Sequence, residues 1–169
     1  MHIRRAEKKD IPIINELVNN AYRGENSKIG WTTEADLLDG IRIDEASLEE
    51  MLMNPNAVVL LAETATKIEG CVYLEQQDDA LYLGMLTVKP ELQSLGIGAN
   101  LLAASEKHAK QLGCKKIKMT VITVRDTLIA YYQRKGYKTT GETRPFPTDP
   151  KFGIPKQPLE FIVLEKENI

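Results

Sequence analysis

Residues 82–102 read YLGMLTVKPELQSLGIGANLL, and the chain changes character three times within this one stretch. Leu81, Leu83, Met85, Leu86 and Val88 form an apolar run of the kind a buried strand makes. It ends at Lys89-Pro90, because proline has no N–H for the next rung of a ladder. Gln93-Ser94-Leu95-Gly96-Ile97-Gly98 then opens a segment in which Gly98, Leu101, Leu102, Ala109 and Leu112 recur close to helical spacing, and Gly113 stands where a left-handed residue would end the helix. A strand that passes through glycines into a helix aims several backbone N–H groups at one spot, with the positive end of the helix dipole behind them. Without Cβ atoms at Gly96 and Gly98, a phosphate or pyrophosphate can reach those amides; a bland turn with a helix cap would use the same two glycines.

Two phosphate loops do not fit. Ala99-Asn100 stand where a P-loop needs lysine followed by serine or threonine. Leu101 stands where a dinucleotide fold wants its third glycine, and Lys116 to Val121 carries no acidic residue for a ribose. The stretch instead resembles the acetyl-CoA loop of the GCN5-related N-acetyltransferase (GNAT) family, Gln/Arg-x-x-Gly-x-Gly/Ala, which Gln93 to Gly98 match at every defined position. MLTVKPELQ before the loop and RDTLIAYYQRKGY after it extend the resemblance. It implies an α/β (α+β) fold with a mixed, mostly antiparallel central sheet flanked by helices. It also implies acetyl-CoA as cosubstrate and direct transfer to a primary amine, expected to belong to a small molecule, in a ternary complex.

The resemblance assigns residues as well. Gln93, Ser94, Leu95, Gly96, Ile97, Gly98 and Ala99 are expected at the cofactor, together with the main chain of Leu86, Thr87 and Val88, where the family's strand bulges and splays from its parallel neighbour. Tyr132 occupies the place of the family's proton donor, four residues before the glycine in Tyr132-Gln133-Arg134-Lys135-Gly136-Tyr137; the alternative is an aromatic packed on Leu128. Two departures follow. Arg125 and Leu128 replace the asparagine and alanine common at the start of the last helix, so Arg125 is expected to meet a cofactor phosphate instead. A glutamate some relatives carry on the central strand is replaced by Leu83-Gly84-Met85, leaving Glu75 as the substitute general base, with a water chain as the alternative. The region after the first helix forms a wall of the family's acceptor pocket, which makes Trp31, Glu34 and Asp36 candidate substrate contacts biased toward cationic amines. A core tryptophan and acids charging a helix start are the other reading.

Composition sets the outer limits. With 169 residues, 43% hydrophobic and 27% charged, the chain suits one domain over residues 1–169. No apolar run is long enough for a membrane span, and the charged start Met1 to Asp10 does not read as a signal peptide, so a cytoplasmic protein is expected. A net charge of −2 argues against nucleic acid as partner. Lys107, Lys110, Lys115, Lys116 and Lys118 form a local basic cluster, either a solvated helix end or help for a cofactor phosphate. His2 and His108 are the only histidines, and neither they nor Cys71 and Cys114 have metal-ligand spacing; free thiols and no metal are expected. A monomer and a homodimer both stay open. A noncatalytic acyl-CoA-binding module of the same fold, or a nucleotide-phosphate binding protein using the same loop, are the rival functions.

Along the chain, Ile3 to Ala6 reads as an edge strand, and Asp10 as the cap of a helix with Ile11, Ile14, Leu17, Val18 and Ala21 on one face. Thr33-Glu34-Ala35-Asp36 and Ser47-Leu48-Glu49-Glu50 have the form of capping boxes, the second inside a helix over Glu45 to Met53. Val58 to Glu63 and Cys71 to Gln76 read as strands around a turn at Lys67-Ile68-Glu69-Gly70. Lys116 to Ile122 follows as a strand parallel to the central one, then a helix over Asp126 to Lys135 and a strand over Tyr137 to Thr140. PFPTDPKFGIPKQP, before a last strand Leu159 to Glu165, reads as a semi-rigid flap over a pocket.

Overall fold

Val58, Leu60 and Ala62 alternate with Val59 and Leu61, and the two sets are buried in different apolar clusters. A strand that is apolar at every position belongs inside a sheet covered on both faces. The computed structural model, which describes Met1–Ile169, shows that arrangement. In chain order the elements are β1 (His2–Arg5), α1 (Ile11–Tyr22), β2 (Leu38–Asp39), α2 (Glu45–Met53), β3 (Ala57–Thr64), β4 (Lys67–Gln77) and β5 (Ala80–Val88). They continue with α3 (Ile97–Gln111), β6 (Lys116–Ile122), α4 (Asp126–Arg134), β7 (Lys138–Pro145), β8 (Ile154–Pro155) and β9 (Glu160–Glu167). Seven strands form one sheet in the order β1-β3-β4-β5-β6-β9-β7, while β2 and β8 pair apart from it. Every ladder is antiparallel except β5 with β6, which α3 connects.

On one face, Ile14, Leu17 and Val18 of α1 and Leu48 of α2 pack on Val59, Leu61, Cys71 and Tyr73. Across the sheet, Ile97, Leu101 and Leu102 of α3 and Tyr132 of α4 pack on Leu60, Val72, Leu74 and Leu83. Cys71 and Cys114 are buried free thiols in opposite clusters. No helix is long and apolar enough to cross a membrane.

The feature that shapes the site is an irregularity in β5. Met85 has φ +56°, and the register against β4 shifts there, with Tyr73 opposite Gly84 and Cys71 opposite Thr87. The bulge reverses the alternation: Leu83 is buried on the α3 face and Met85, two residues on, on the α1 face. On its other side β5 pairs with β6 only over Ala80–Tyr82. From Leu83 onward the two parallel strands separate, and a cavity opens between them.

Several local expectations change. The hairpin between β3 and β4 turns at Ala65-Thr66, with Thr64 opposite Lys67 and Ala65 at φ +54°, so Lys67-Ile68-Glu69-Gly70 lies in the strand. Gly70 is needed there because a Cβ would sit 2.7 Å from the Thr87 carbonyl oxygen and 3.2 Å from Ile97 of α3. Asp10 does not cap α1; it accepts a two-pronged ion pair from Arg4 (2.9 and 3.0 Å) and the Glu7 N–H (2.8 Å). Helix α2 has the expected limits, but its cap is Asp44, which accepts from Ser47 N at 2.8 Å. Thr33 to Asp36 starts no helix; Leu37 and Leu38 N–H both turn back to the Glu34 carbonyl. Strand β7 runs on to Pro145, with register slipping between Thr139 and Thr143.

Candidate active site

The loop between β5 and α3 puts Ser94 (φ +70°) and Gly96 (φ +91°) in the left-handed region. That coiling leaves the N–H groups from Ser94 through Ala99 without an acceptor, and the first main-chain bond into the helix is Asn100 N to Gly96 O at 3.0 Å. Six consecutive free amides at the positive end of a 15-residue helix make an anion site. They border a groove of about 410 Å³ whose walls include Trp31, Gly96, Gly98 and Tyr131 and whose cations are Arg134 and Lys135. None of the five clustered lysines named from the sequence lines it, and Lys116 pairs with Glu165 at 3.3 Å. Gly98 faces the groove, where a Cβ would stand 3.2 Å from the Tyr131 hydroxyl. Gln93 ties the loop down, donating from Nε2 to the Val88 carbonyl at 3.3 Å. Of the β5 positions expected to offer free main-chain groups, Leu86 already uses its carbonyl, which accepts from the Tyr22 hydroxyl at 2.9 Å.

A second cavity, of about 300 Å³, fills the gap between β5 and β6. Its floor holds Leu83, Gly84, Met85, Val121 and Ile122, and its roof is the segment after β7, through Phe146, Pro147 and Phe152. The flap expected from the proline-rich stretch is therefore present and tied down. Arg23 donates to the Phe152 carbonyl at 2.9 Å, Lys156 N–H to the Leu37 carbonyl at 2.9 Å, and β8 pairs with β2.

Charge in this second cavity is arranged around Glu34. One of its oxygens accepts from Arg23 Nε at 2.9 Å and the other from Arg125 Nη1 at 3.0 Å, with all three side chains less than a tenth exposed. Arg125 also donates to the Thr32 hydroxyl. Burial draws the Arg23 guanidinium below its usual value and Glu34 opposes that shift. Arg125 is thus committed to Glu34 and does not line the groove beside the glycine loop, where a phosphate contact was expected of it. With Arg42 the lining counts three arginines against one carboxylate, a net charge of +2. The pull on cationic amines expected from Glu34 and Asp36 is reversed: Asp36 is exposed, pairs with Lys28 at 3.5 Å and does not line the cavity.

Trp31 lines the groove beside the glycine loop and not the second cavity, its ring 5.3 Å from that of Tyr131. Glu75 lines neither space; its carboxylate accepts from Asn54 at 3.1 Å and Gln77 at 3.2 Å. Tyr132, with Leu86 and Leu128, lines both, so the cavity and the groove meet there. Burial pushes the Tyr132 phenol well above its ordinary value. Tyr22, Arg23, Arg42 and Tyr131 were not singled out from the sequence. Tyr131 could have been, as the neighbour of Tyr132 in the same motif; a lone arginine in Ile41-Arg42-Ile43-Asp44 carries no signal of its own.

The family that matches this chain is described as an acetyltransferase (GNAT) domain, and the match runs over residues 35–147. The chain belongs to the GNAT family. The family's matched region holds the loop, the bulge and Tyr132, while Trp31 and Glu34 fall just before it. A curated relative, the uncharacterized N-acetyltransferase YjhQ of Escherichia coli strain K12, is 26% identical over 159 residues, 89% of this chain and 76% of that protein. Among solved structures, a ribosomal-protein-alanine N-acetyltransferase from Brucella melitensis has the same fold (TM-score 0.73, 20% identity, 99% of both chains). So has a GNAT family acetyltransferase from Elizabethkingia anophelis with acetyl-CoA bound (TM-score 0.60, 21% identity, 73% of this chain and 83% of that one).

Proposed function

We propose that this GNAT protein transfers an acetyl group from acetyl-CoA directly to the primary amine of a small molecule, with Tyr132 as the general acid. One observation carries the reading: the anion-binding groove and the arginine-lined cavity are separate spaces that meet at Tyr132, Leu86 and Leu128. Two substrates held on either side of one phenol form a ternary complex, with the geometry fixed before reaction. The residues present fit acetyl-CoA, since the free amides of Ser94 to Ala99 match a pyrophosphate and the groove leads from them to Tyr132. Bound there, acetyl-CoA supplies a thioester acetyl group. The roofed cavity of about 300 Å³ suits a small acceptor.

Transfer forms an N–C bond and breaks a C–S bond, so one proton must leave nitrogen and one must reach sulfur. Tyr132 keeps its proton through the neutral range and can release it to the departing thiolate. No free carboxylate stands in the cavity to take the other, because both oxygens of Glu34 are held by arginines and Glu75 lies outside. Water therefore carries it off, and the positive lining favours the neutral amine over the ammonium. The experiment is a thiol-release assay with acetyl-CoA and an amine panel, beside thermal melts with CoA, ATP and NAD. Stabilisation by CoA alone plus amine-dependent thiol release is the expected result. Binding without release for any amine would leave a noncatalytic acyl-CoA-binding module.

A further inference from the structure

Two of the three arginines in the acceptor cavity are spent on Glu34; the third is not. Arg42 lines the cavity without pairing to any carboxylate, and its side chain makes no hydrogen bond within the protein. Its guanidinium lies over the Tyr22 ring, 5.2 Å from the centroid, a contact that supports the group without neutralising its charge. The backbone beneath it is held as well. Asn19 of α1 accepts from Arg42 N at 2.7 Å and from Ile43 N at 3.1 Å, and donates to the Ile43 carbonyl at 3.0 Å. A half-buried cation, placed by three hydrogen bonds and an aromatic face in a roofed cavity of net charge +2, is a preorganised anion receptor.

We propose that the acceptor is an amine that also carries a carboxylate, an amino acid or a close analogue, and that Arg42 binds the carboxylate. This rests on the acyl-transfer reading above and adds the substrate class to it. Polyamines and other purely cationic amines are disfavoured, because the only carboxylate in the cavity already has a guanidinium on each oxygen. The apolar part of the lining, Leu83, Met85, Phe146, Phe152 and Phe161, favours an acceptor whose remaining surface is hydrophobic.

Calorimetry tests this without turnover. N-acetyl-L-phenylalanine and N-acetyl-L-methionine, compared with their carboxamides, differ in charge but not in shape and have no amine to ionise. The acids should bind ~10-fold or more tightly than the amides, as expected of one charge-assisted contact in a partly desolvated site, and the difference should shrink with added salt. Arg42→Gln should bring the acid-to-amide ratio to near one, and Arg42→Lys should restore part of it. In acetyl transfer, L-phenylalanine and L-methionine should exceed phenethylamine and spermidine in kcat/KM. Amides binding as tightly as acids, a ratio that survives Arg42→Gln, or no binding by any acid would each overturn the proposal. Preferential acetylation of spermidine would overturn it while leaving acyl transfer standing. Acid binding that depends on Arg42, with no thiol release from any amine, would leave an anion subsite and overturn both acyl transfer and the acceptor class.

Discussion

Tyr132 has two surroundings: it is 6% exposed and packed edge-on against Tyr131 and Tyr137, yet it lines both the groove and the roofed cavity. Tyr132→Phe preserves the ring and deletes the acid. Its kcat should fall by ~10²-fold or more with CoA affinity nearly unchanged, which stopped-flow thiol release and calorimetry would read separately. A wild-type rate, with chemistry limiting, would return the proton to water. Because the folded phenol titrates well above its ordinary value, loss of its proton should not limit the rate near pH ~10. The limb at lower pH has a different origin. With no free base in the cavity, kcat/KM should rise with pH and its apparent pKa should follow the acceptor amine across a series of acceptors. A limb at one fixed pKa for all acceptors would point to a protein base.

At the scale of the element, the start of α3 and the start of α2 do different work with similar parts. Gly96 and Gly98 leave the first amides of α3 open, and Gly98→Trp would place an indole where Tyr131 already stands within 3.2 Å of a Cβ. CoA binding should be lost by calorimetry while the melting temperature changes little, because the loop is exposed at Ser94, Leu95 and Gly96. Helix α2 satisfies its own end instead, through Asp44 and Ser47 N. Asp44→Ala should lower the denaturant midpoint with the slope unchanged, as loss of a helix cap does, and leave CoA binding alone. On β3 the register slips only near the strand end, between Ala62 and Glu63, and Val58 to Ala62 keep the alternation that the bulge at Met85 breaks in β5.

For the whole molecule, both faces of the sheet bury phenols, and burial is the main cause that raises each of them. Tyr22 and Tyr73 are pushed up to about 12, and Tyr132 and Tyr137 are also raised. Above pH ~10 the unfolded chain releases these protons and the folded chain keeps them, so stability is complete below that pH and is lost as the pH climbs toward the folded values. The slope should be about 1.4 kcal/mol per pH unit for Tyr22 alone, with the other three adding in the same direction. Urea titrations at pH 8, 10 and 11 would show it, and flat stability across that range would mean the phenols titrate normally.

What could be read from the sequence was whatever is written in consecutive residues. The glycine loop, the helix behind it and the Tyr-x-x-x-Gly spacing all lie within single segments, where backbone conformation and periodicity follow from local chemistry. The strand-like runs likewise gave the strands around a turn and the parallel step, while the sheet flanked by helices came from the family resemblance. The arginine-lined cavity is built otherwise. Arg23, Glu34, Arg42, Arg125 and Phe152 come from four connecting segments and a helix end, and they meet only because β5 and β6 diverge after Tyr82. Whether Glu34 attracts cations or merely balances two arginines depends on distances near 3 Å between residues 11 and 91 positions apart. Charge does not reveal its partner in one dimension, since an ion pair is set by packing and not by sequence neighbours. For that reason the glycine loop was legible beforehand, and the sign of the charge in the roofed cavity was decided only by the tertiary structure.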